Sequence, residues 1–370
     1  MRISTALSEI VVGTIAQLII GAAVGAAVLG TDESWVKFLS GLGAIVLTFL
    51  AGAELDPQVF RLKWKEAVSV GFVSFLCPFL GCAAAAHYLL GWDPMPSWLA
   101  GVAMSTTSVA VVYAVMLEFG FNTTEYGKTI LAACFVTDLG TVIALGLIFA
   151  PFTMKTLIFL GAGVVVFIVL PWVTPRFFRL YGNRPSELEA KFLLLCLLGM
   201  GALAAWADSE AVLPAYLIGM VLAGTVGKDH ALIRRLRTLT FGLLTPFYFI
   251  RAGSFVSIPD LVAAPLAFIL FLLVKVGTKI VGVYPVTKLF GSPNKEAMYT
   301  TLLMSTGLTF GTISALFGLS HGIISRAQYS ALVATVIASA VVPTVIANAF
   351  YLPSHILPKR GAAEPDREAA

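Results

Sequence analysis

Apolar runs close to 20 residues long recur along the whole chain, and this feature limits what it can fold into more than any other. A helix needs about 20 mainly apolar residues to cross ~30 Å of hydrocarbon, where each backbone N–H and C=O must be satisfied within the segment. That length predicts twelve spans, near 10–30, 35–54, 67–90, 97–117, 127–150, 156–174, 191–207, 211–227, 238–257, 261–287, 297–319 and 328–351. Only 12% of the 370 residues are charged, against roughly 25% in a soluble domain. An ordinary cytosolic enzyme, a nucleic-acid binder and a disordered chain are thereby excluded. The expected fold is an all-α polytopic membrane protein. Its membrane domain covers 1–358, and a short disordered tail covers 359–370.

The net charge of +4 is too small to point to an anionic partner, so its distribution matters more. Lys and Arg concentrate in the cytoplasmic loops of membrane proteins. With both termini cytoplasmic, eighteen of the basic residues fall inside, and three (Lys37, Lys155 and Arg326) fall outside. Shifting the count by one helix would scramble this asymmetry. The expected location is therefore the cell (inner) membrane, with both termini on the cytoplasmic side.

Ionisable groups at bilayer depth are costly, at least ~2.5–3.5 kcal/mol each on insertion scales. Most acidic residues, including Glu9, Glu54, Glu66 and Asp208, fall in loops, in the tail or near span ends. Asp138 alone lies near the middle of a span, the fifth, in Cys134-Phe135-Val136-Thr137-Asp138. A structural carboxylate would be paired with a buried cation. An exchanging one would bind a proton and a cation in turn, because burial favours the protonated form and a cation favours the carboxylate. Thr137 offers a neighbouring oxygen, and a hard cation needs several.

Two spans carry polar clusters at mid-depth, Ser105-Thr106-Thr107-Ser108 in the fourth and Ser305-Thr306-Gly307-Leu308-Thr309-Phe310-Gly311-Thr312 in the eleventh. Small residues at helix contacts would explain either alone. However, spans 3–5 and 10–12 run in opposite directions, so the two clusters are the middle members of inverted repeats. Interrupted helices in such positions mark a transporter's midplane site, where free carbonyls and helix ends meet an ion. Lys279 in the tenth span is placed to pair with Asp138 when no cation is bound. Lys275, one turn earlier on the same face, would snorkel or pair elsewhere, and Arg251 would brace the structure electrostatically. The four cysteines (Cys77, Cys82, Cys134, Cys196) and four histidines show no ligand spacing, and no GxxxxGK[ST] motif occurs.

Taken in order, Thr107-Ser108-Val109, Leu117-Glu118-Phe119-Gly120, Lys128-Thr129-Ile130-Leu131-Ala132-Ala133 and Thr137-Asp138 resemble the monovalent cation:proton antiporters. The resemblance is to the branch of Na⁺/H⁺ exchangers and glutathione-gated K⁺ efflux proteins. Phe49-Leu50-Ala51-Gly52-Ala53-Glu54-Leu55-Asp56 resembles its second-helix signature, and Pro246-Phe247-Tyr248-Phe249 with Ala252-Gly253 resembles its ninth. The resemblance implies a homodimer whose protomers each have a dimerisation part and a core with crossed, broken helices 4 and 11. It also implies that Asp138 is the essential cation- and proton-binding aspartate, and it matches Lys279 to the basic residue of helix 10 in electrogenic members. Those members carry two adjacent aspartates, the first of which is Thr137 here, and many relatives have one more N-terminal helix. The K⁺ efflux relatives end in a nucleotide-binding regulatory domain, and gating through one is not expected for this chain.

The function expected from the sequence is secondary antiport of Na⁺, or K⁺ or Li⁺, against H⁺, electroneutral, with no cofactor. Asp138 would hold the proton or the cation, with Thr137, Thr107 and Ser108 as oxygen ligands. Thr306, Gly307 and Gly311, at the second helix break, would complete the electrostatics with Lys279 and Arg251. The alternatives are a K⁺ efflux pathway without strict proton coupling and, further off, a membrane-embedded enzyme. The latter would show paired catalytic groups, which are not seen here.

Overall fold

The computed structural model describes residues 13–25, 30, 33–53, 63–149, 153–182, 184–207, 209, 211–263 and 265–357. Glu9, Glu54, Asp208 and the tail 359–370 lie outside the described residues. Those residues are helices joined by short turns. They run α1 (Gly13–Ile20), α2 (Ser34–Ala53), α3 (Trp64–Ala84), α4 (Pro94–Ser105), α5 (Val109–Glu118), α6 (Glu125–Phe149), α7 (Met154–Tyr181) and α8 (Leu188–Trp206). Then follow α9 (Val212–Leu222), α10 (His230–Leu239), α11 (Thr245–Ser254), α12 (Ile258–Ala263), α13 (Pro265–Leu289), α14 (Asn294–Met304), α15 (Thr309–Ser320) and α16 (Arg326–Ile346). Among the described residues, nine helical stretches are long and apolar enough to cross a membrane.

Of the other three expected spans, the one placed at 10–30 lies partly outside the described residues, and two take other forms. The one placed at 211–227 is α-helical only over Val212–Leu222, too short to cross a bilayer by length alone, and is followed by a 3-10 turn at Val226–Lys228. The helix that carries the span placed at 238–257 begins earlier, in the basic segment His230–Leu239. It is α10 and α11 joined end to end through a π-helical turn at Thr240–Leu244. A wide turn of this kind inside a helix often accompanies a functional site.

The fourth and eleventh spans are each broken at the cluster the sequence marks. After Ser105 the backbone turns extended at Thr106 (φ −63°, ψ 153°), and Ser108 restarts the helix by accepting from the Val111 amide. The break after Met304 passes through Ser305, Thr306 and Gly307 and ends at Leu308 (φ −152°, ψ −72°). Hydroxyl-rich sequence tolerates such breaks because its side chains satisfy the freed backbone groups. Both segments are buried, and the Ser108 amide donates to the Thr306 carbonyl at 3.2 Å.

The apolar side chains gather into two cores. One, around Met104, Val111, Cys134, Tyr299, Met304 and Tyr329, is formed mainly by α3–α6 and α13–α16. The other, around Phe49, Leu197, Met200, Ile218, Leu222 and Leu236, belongs to α2 and α7–α10. Glycines bring α2 and α9 together. A Cβ on Gly219 would lie 3.0 Å from the Gly52 Cα, so only hydrogen fits at this crossing.

Candidate functional site

The broken helices cross with like ends together. α4 and α14 direct their C-terminal ends, Ser105 and Met304, to the crossing, while α5 and α15 begin there. Helix C-termini carry partial negative charge and N-termini partial positive charge. The site distributes its ionisable side chains accordingly.

Lys279, fully buried in α13, serves the negative ends. Its Nζ donates to the carbonyl of Met304 at 2.6 Å, of Ser105 at 3.2 Å and of Thr106 at 3.5 Å. It also donates to the Thr107 hydroxyl at 3.0 Å and the Ser74 hydroxyl at 2.8 Å. The expected ion pair with Asp138 is not made. An ammonium has three donors, and these oxygens, on two helix ends and on α3, already engage them.

Asp138 faces the positive ends. It shares a cavity of about 50 Å³ with Thr107, Ser108 and Val109 at the start of α5 and with Thr309 and Phe310 at the start of α15. Leu47, Leu50 and Ala51 of α2 and Phe241 of the π-turn close the cavity, so the carboxylate lies between the two cores. Asp138 has no solvent exposure, and no hydrogen bond of ordinary geometry reaches either of its oxygens. Its electrostatic neighbours are Lys279, the Thr107 amide and Lys275. A buried charge lacking hydrogen bonds is costly, whereas the same group suits a ligand that comes and goes.

The other expected residues separate. Thr107 donates to the Met304 carbonyl at 2.8 Å, tying the two breaks together, and Thr306 accepts from the Ser108 amide at 3.3 Å. Thr137 donates to the carbonyls of Gly71 at 3.1 Å and Ala133 at 3.0 Å, joining α6 to α3. The helical turn that sends Asp138 into the cavity sends its neighbour the other way. Arg251 lies over the Phe255 ring, 5.5 Å from its centroid, and close to Tyr329. Gly311 packs where a Cβ would meet Val336 at 2.6 Å and the Ala103 carbonyl at 3.0 Å.

Lys275 was not singled out for the site by the sequence. It does not snorkel: it is fully buried with no hydrogen-bond partner for Nζ, and Gly307 leaves just the room its ammonium occupies. Its spacing of four from Lys279, two cations on one face of a span, was the available signal. No group of three or more His, Cys, Asp or Glu able to hold a metal occurs among the described residues. Around Asp138 the oxygens are hydroxyls and carbonyls, donors suited to a weakly held alkali cation.

Comparison with known proteins identifies the family and the fold. The Na(+)/H(+) antiporter of Enterococcus hirae is 25% identical over 353 residues, covering 91% of each chain. The probable Na(+)/H(+) antiporter 3 of Methanocaldococcus jannaschii is 25% identical, covering 91% of this chain and 89% of that protein. The glutathione-regulated potassium-efflux protein KefC of Salmonella arizonae is 26% identical over 77% of this chain and 47% of its own length. In fold, the chain is similar to the sodium proton antiporter MjNhaP1 of M. jannaschii, with a TM-score of 0.67 at 15% identity, over 92% of this chain and 96% of that one. The family described as "Sodium/hydrogen exchanger, transmembrane" matches residues 4–350, and the chain belongs to that family.

Proposed function

We propose that this protein is a secondary antiporter exchanging a monovalent cation, Na⁺ in the first instance, for H⁺. The observation that carries the reading is the Asp138 carboxylate, fully buried between two cores beside two helix N-termini, with the Thr107 amide as its hydrogen-bonding neighbour and no ion pair among the described residues. Such a group is stabilised either by a proton or by a cation, and not by both together. Each must leave before the other binds, which couples the two flows without ATP. Thr107 and Ser108 supply oxygens beside the carboxylate, while Lys279 holds the crossing together. Exchange at a single carboxylate is one cation for one proton, hence electroneutral.

Alternating access fits the two-core arrangement. Two cavities, of about 500 and 260 Å³, open at the end where Lys128, Arg234 and Glu296 lie. We assign that end to the cytoplasm from the distribution of Lys and Arg. At the other end Arg326 donates to the carbonyls of Ser254 at 2.9 Å and Phe255 at 3.1 Å, and Tyr329 donates to that of Ala252 at 2.6 Å. α16 is thereby tied to the end of α11. The exposed apolar face of α7, with Ile168 and Trp172, is the surface we assign to a homodimer contact.

The test is proton-gradient dissipation in proteoliposomes, read by a trapped pH dye on adding Na⁺, Li⁺ or K⁺. Cation-dependent proton movement should appear in the wild type and vanish in Asp138→Asn. Valinomycin with K⁺ in the Na⁺ assay should leave the rate unchanged if no net charge moves. The likeness to KefC favours a K⁺ efflux pathway as the second reading. K⁺ flux continuing with no proton movement would establish it.

A further inference from the structure

The side chains next to Asp138 in sequence and on α5 leave an ion at its carboxylate short of oxygens. Thr137 is turned away, towards the carbonyls of Gly71 and Ala133. The Thr107 hydroxyl donates to the Met304 carbonyl at 2.8 Å and accepts from the Lys279 ammonium at 3.0 Å, so a positive charge already lies against its oxygen. Ser108 accepts from the Val111 amide at 3.4 Å, which leaves its oxygen a second lone pair. A hard cation needs several oxygens around it, more than the carboxylate and Ser108 provide.

The second broken helix has a further one to give. Thr309 is the first residue of α15 and lines the same cavity as Asp138. A threonine inside a helix commonly donates to the carbonyl four residues back. Thr312 does so to Leu308 at 2.7 Å, and Thr301 and Thr335 follow the same pattern. For Thr309 that carbonyl belongs to Ser305, inside the break before α15, and no described residue takes its hydroxyl. Tyr216 holds this start of α15 beside α6. Its hydroxyl donates to the Phe135 carbonyl at 2.9 Å, and its ring meets that of Phe310 edge-on at 5.5 Å between centroids. The cavity, of about 50 Å³, has room for an ion and roughly three waters to complete its shell.

We propose that Thr309 is an oxygen ligand of the transported cation, so that the bound ion bridges the carboxylate on α6 and the start of α15. The consequence for transport rests on the antiport reading, whereas ion binding is read without transport. The full chain would be melted in detergent in sodium, lithium or potassium chloride and in choline chloride of equal ionic strength, beside Thr309→Val and Thr309→Ser. At about ten times its Kd, the ion that binds should raise the melting temperature of the wild type by about 2 °C. Thr309→Val keeps the branched shape and loses the oxygen. In choline it should melt with the wild type, because no hydrogen bond is lost. Its shift at the same ion concentration should fall below about 1 °C, and its KM for the ion in proteoliposomes should rise about tenfold. Thr309→Ser keeps the oxygen and should stay within about twofold of the wild-type KM. Thr309→Ala carries the same comparison if Thr309→Val does not fold.

The proposal is overturned if none of the three ions shifts the wild type beyond choline, or if the variants without the oxygen keep the full shift and the wild-type KM. It is also overturned if Thr309→Ser loses as much as Thr309→Val, which would assign the effect to the branched shape. Lower melting in choline with an unchanged KM would likewise assign Thr309 a structural role. Lack of cation-driven proton flux in every preparation overturns the antiport reading instead and leaves the melting shifts to decide the ligand.

Discussion

The ammonium of Lys279 lies 2.6 Å from the carbonyl oxygen of Met304, at the end of a half-helix that begins on the opposite side of the bundle from α4. Through that contact and those to Ser105 and Thr106, one side chain serves the C-terminal ends of both broken helices. Asp138 is left to the N-terminal ends, so the crossing separates the buried ammonium from the buried carboxylate.

Replacing Lys279 with Met should destabilise the protein by about 3 kcal/mol or more, because buried carbonyls on two helix ends lose their donor together. Thermal melting in detergent measures this. A loss below about 1 kcal/mol would show that the crossing holds without the ammonium.

Asp138→Asn should fold and melt at or above the wild-type temperature, since it removes a fully buried carboxylate, which makes no ion pair among the described residues, and keeps the shape. Cation-dependent proton flux should fall to background. A variant that unfolds would instead assign the carboxylate a structural role.

The proposed competition for the Asp138 carboxylate predicts the sign of the pH dependence. At lower pH a larger share of Asp138 is protonated, so the cation must displace a proton and its apparent KM rises. The limit is about tenfold per pH unit, with the rate at saturating cation much less affected. KM constant across two pH units would rule out a shared site.

Gly307→Ala should impair transport by displacing the Lys275 ammonium, against which the new methyl would press. Gly311→Ala should mainly cost stability, about 1–3 kcal/mol, because its methyl meets Val336 and the Ala103 carbonyl. Melting and flux measured on both variants separate the two effects.

Arg326→Ala removes two hydrogen bonds that tie α16 to the end of α11. These contacts are partly exposed, so the expected change is modest, about a threefold shift in population towards the state open on that side. Thiol labelling of a cysteine placed at Ser257 should speed up accordingly. An unchanged labelling rate would show that the tie is not a gate.

The sequence by itself determined the membrane class, the depth of Asp138 and the two interrupted spans. These are local properties: a window of about 20 residues suffices to read apolar length, and a charge or a Ser/Thr/Gly cluster inside it stands out by its cost. Which residues meet was decided only by the tertiary structure. Lys279 bonds to Ser74 across 205 residues of sequence and to Thr107 across 172, and nothing in either window names the other. Thr137 looked like a ligand because it adjoins Asp138, yet one step along a helix turned its hydroxyl to Gly71. Lys275 was legible in depth but not in partnership, and the cavity of about 500 Å³ is lined by residues of four separate helices. Depth is encoded along the chain, whereas direction around a helix and the choice of neighbour depend on how the whole bundle packs.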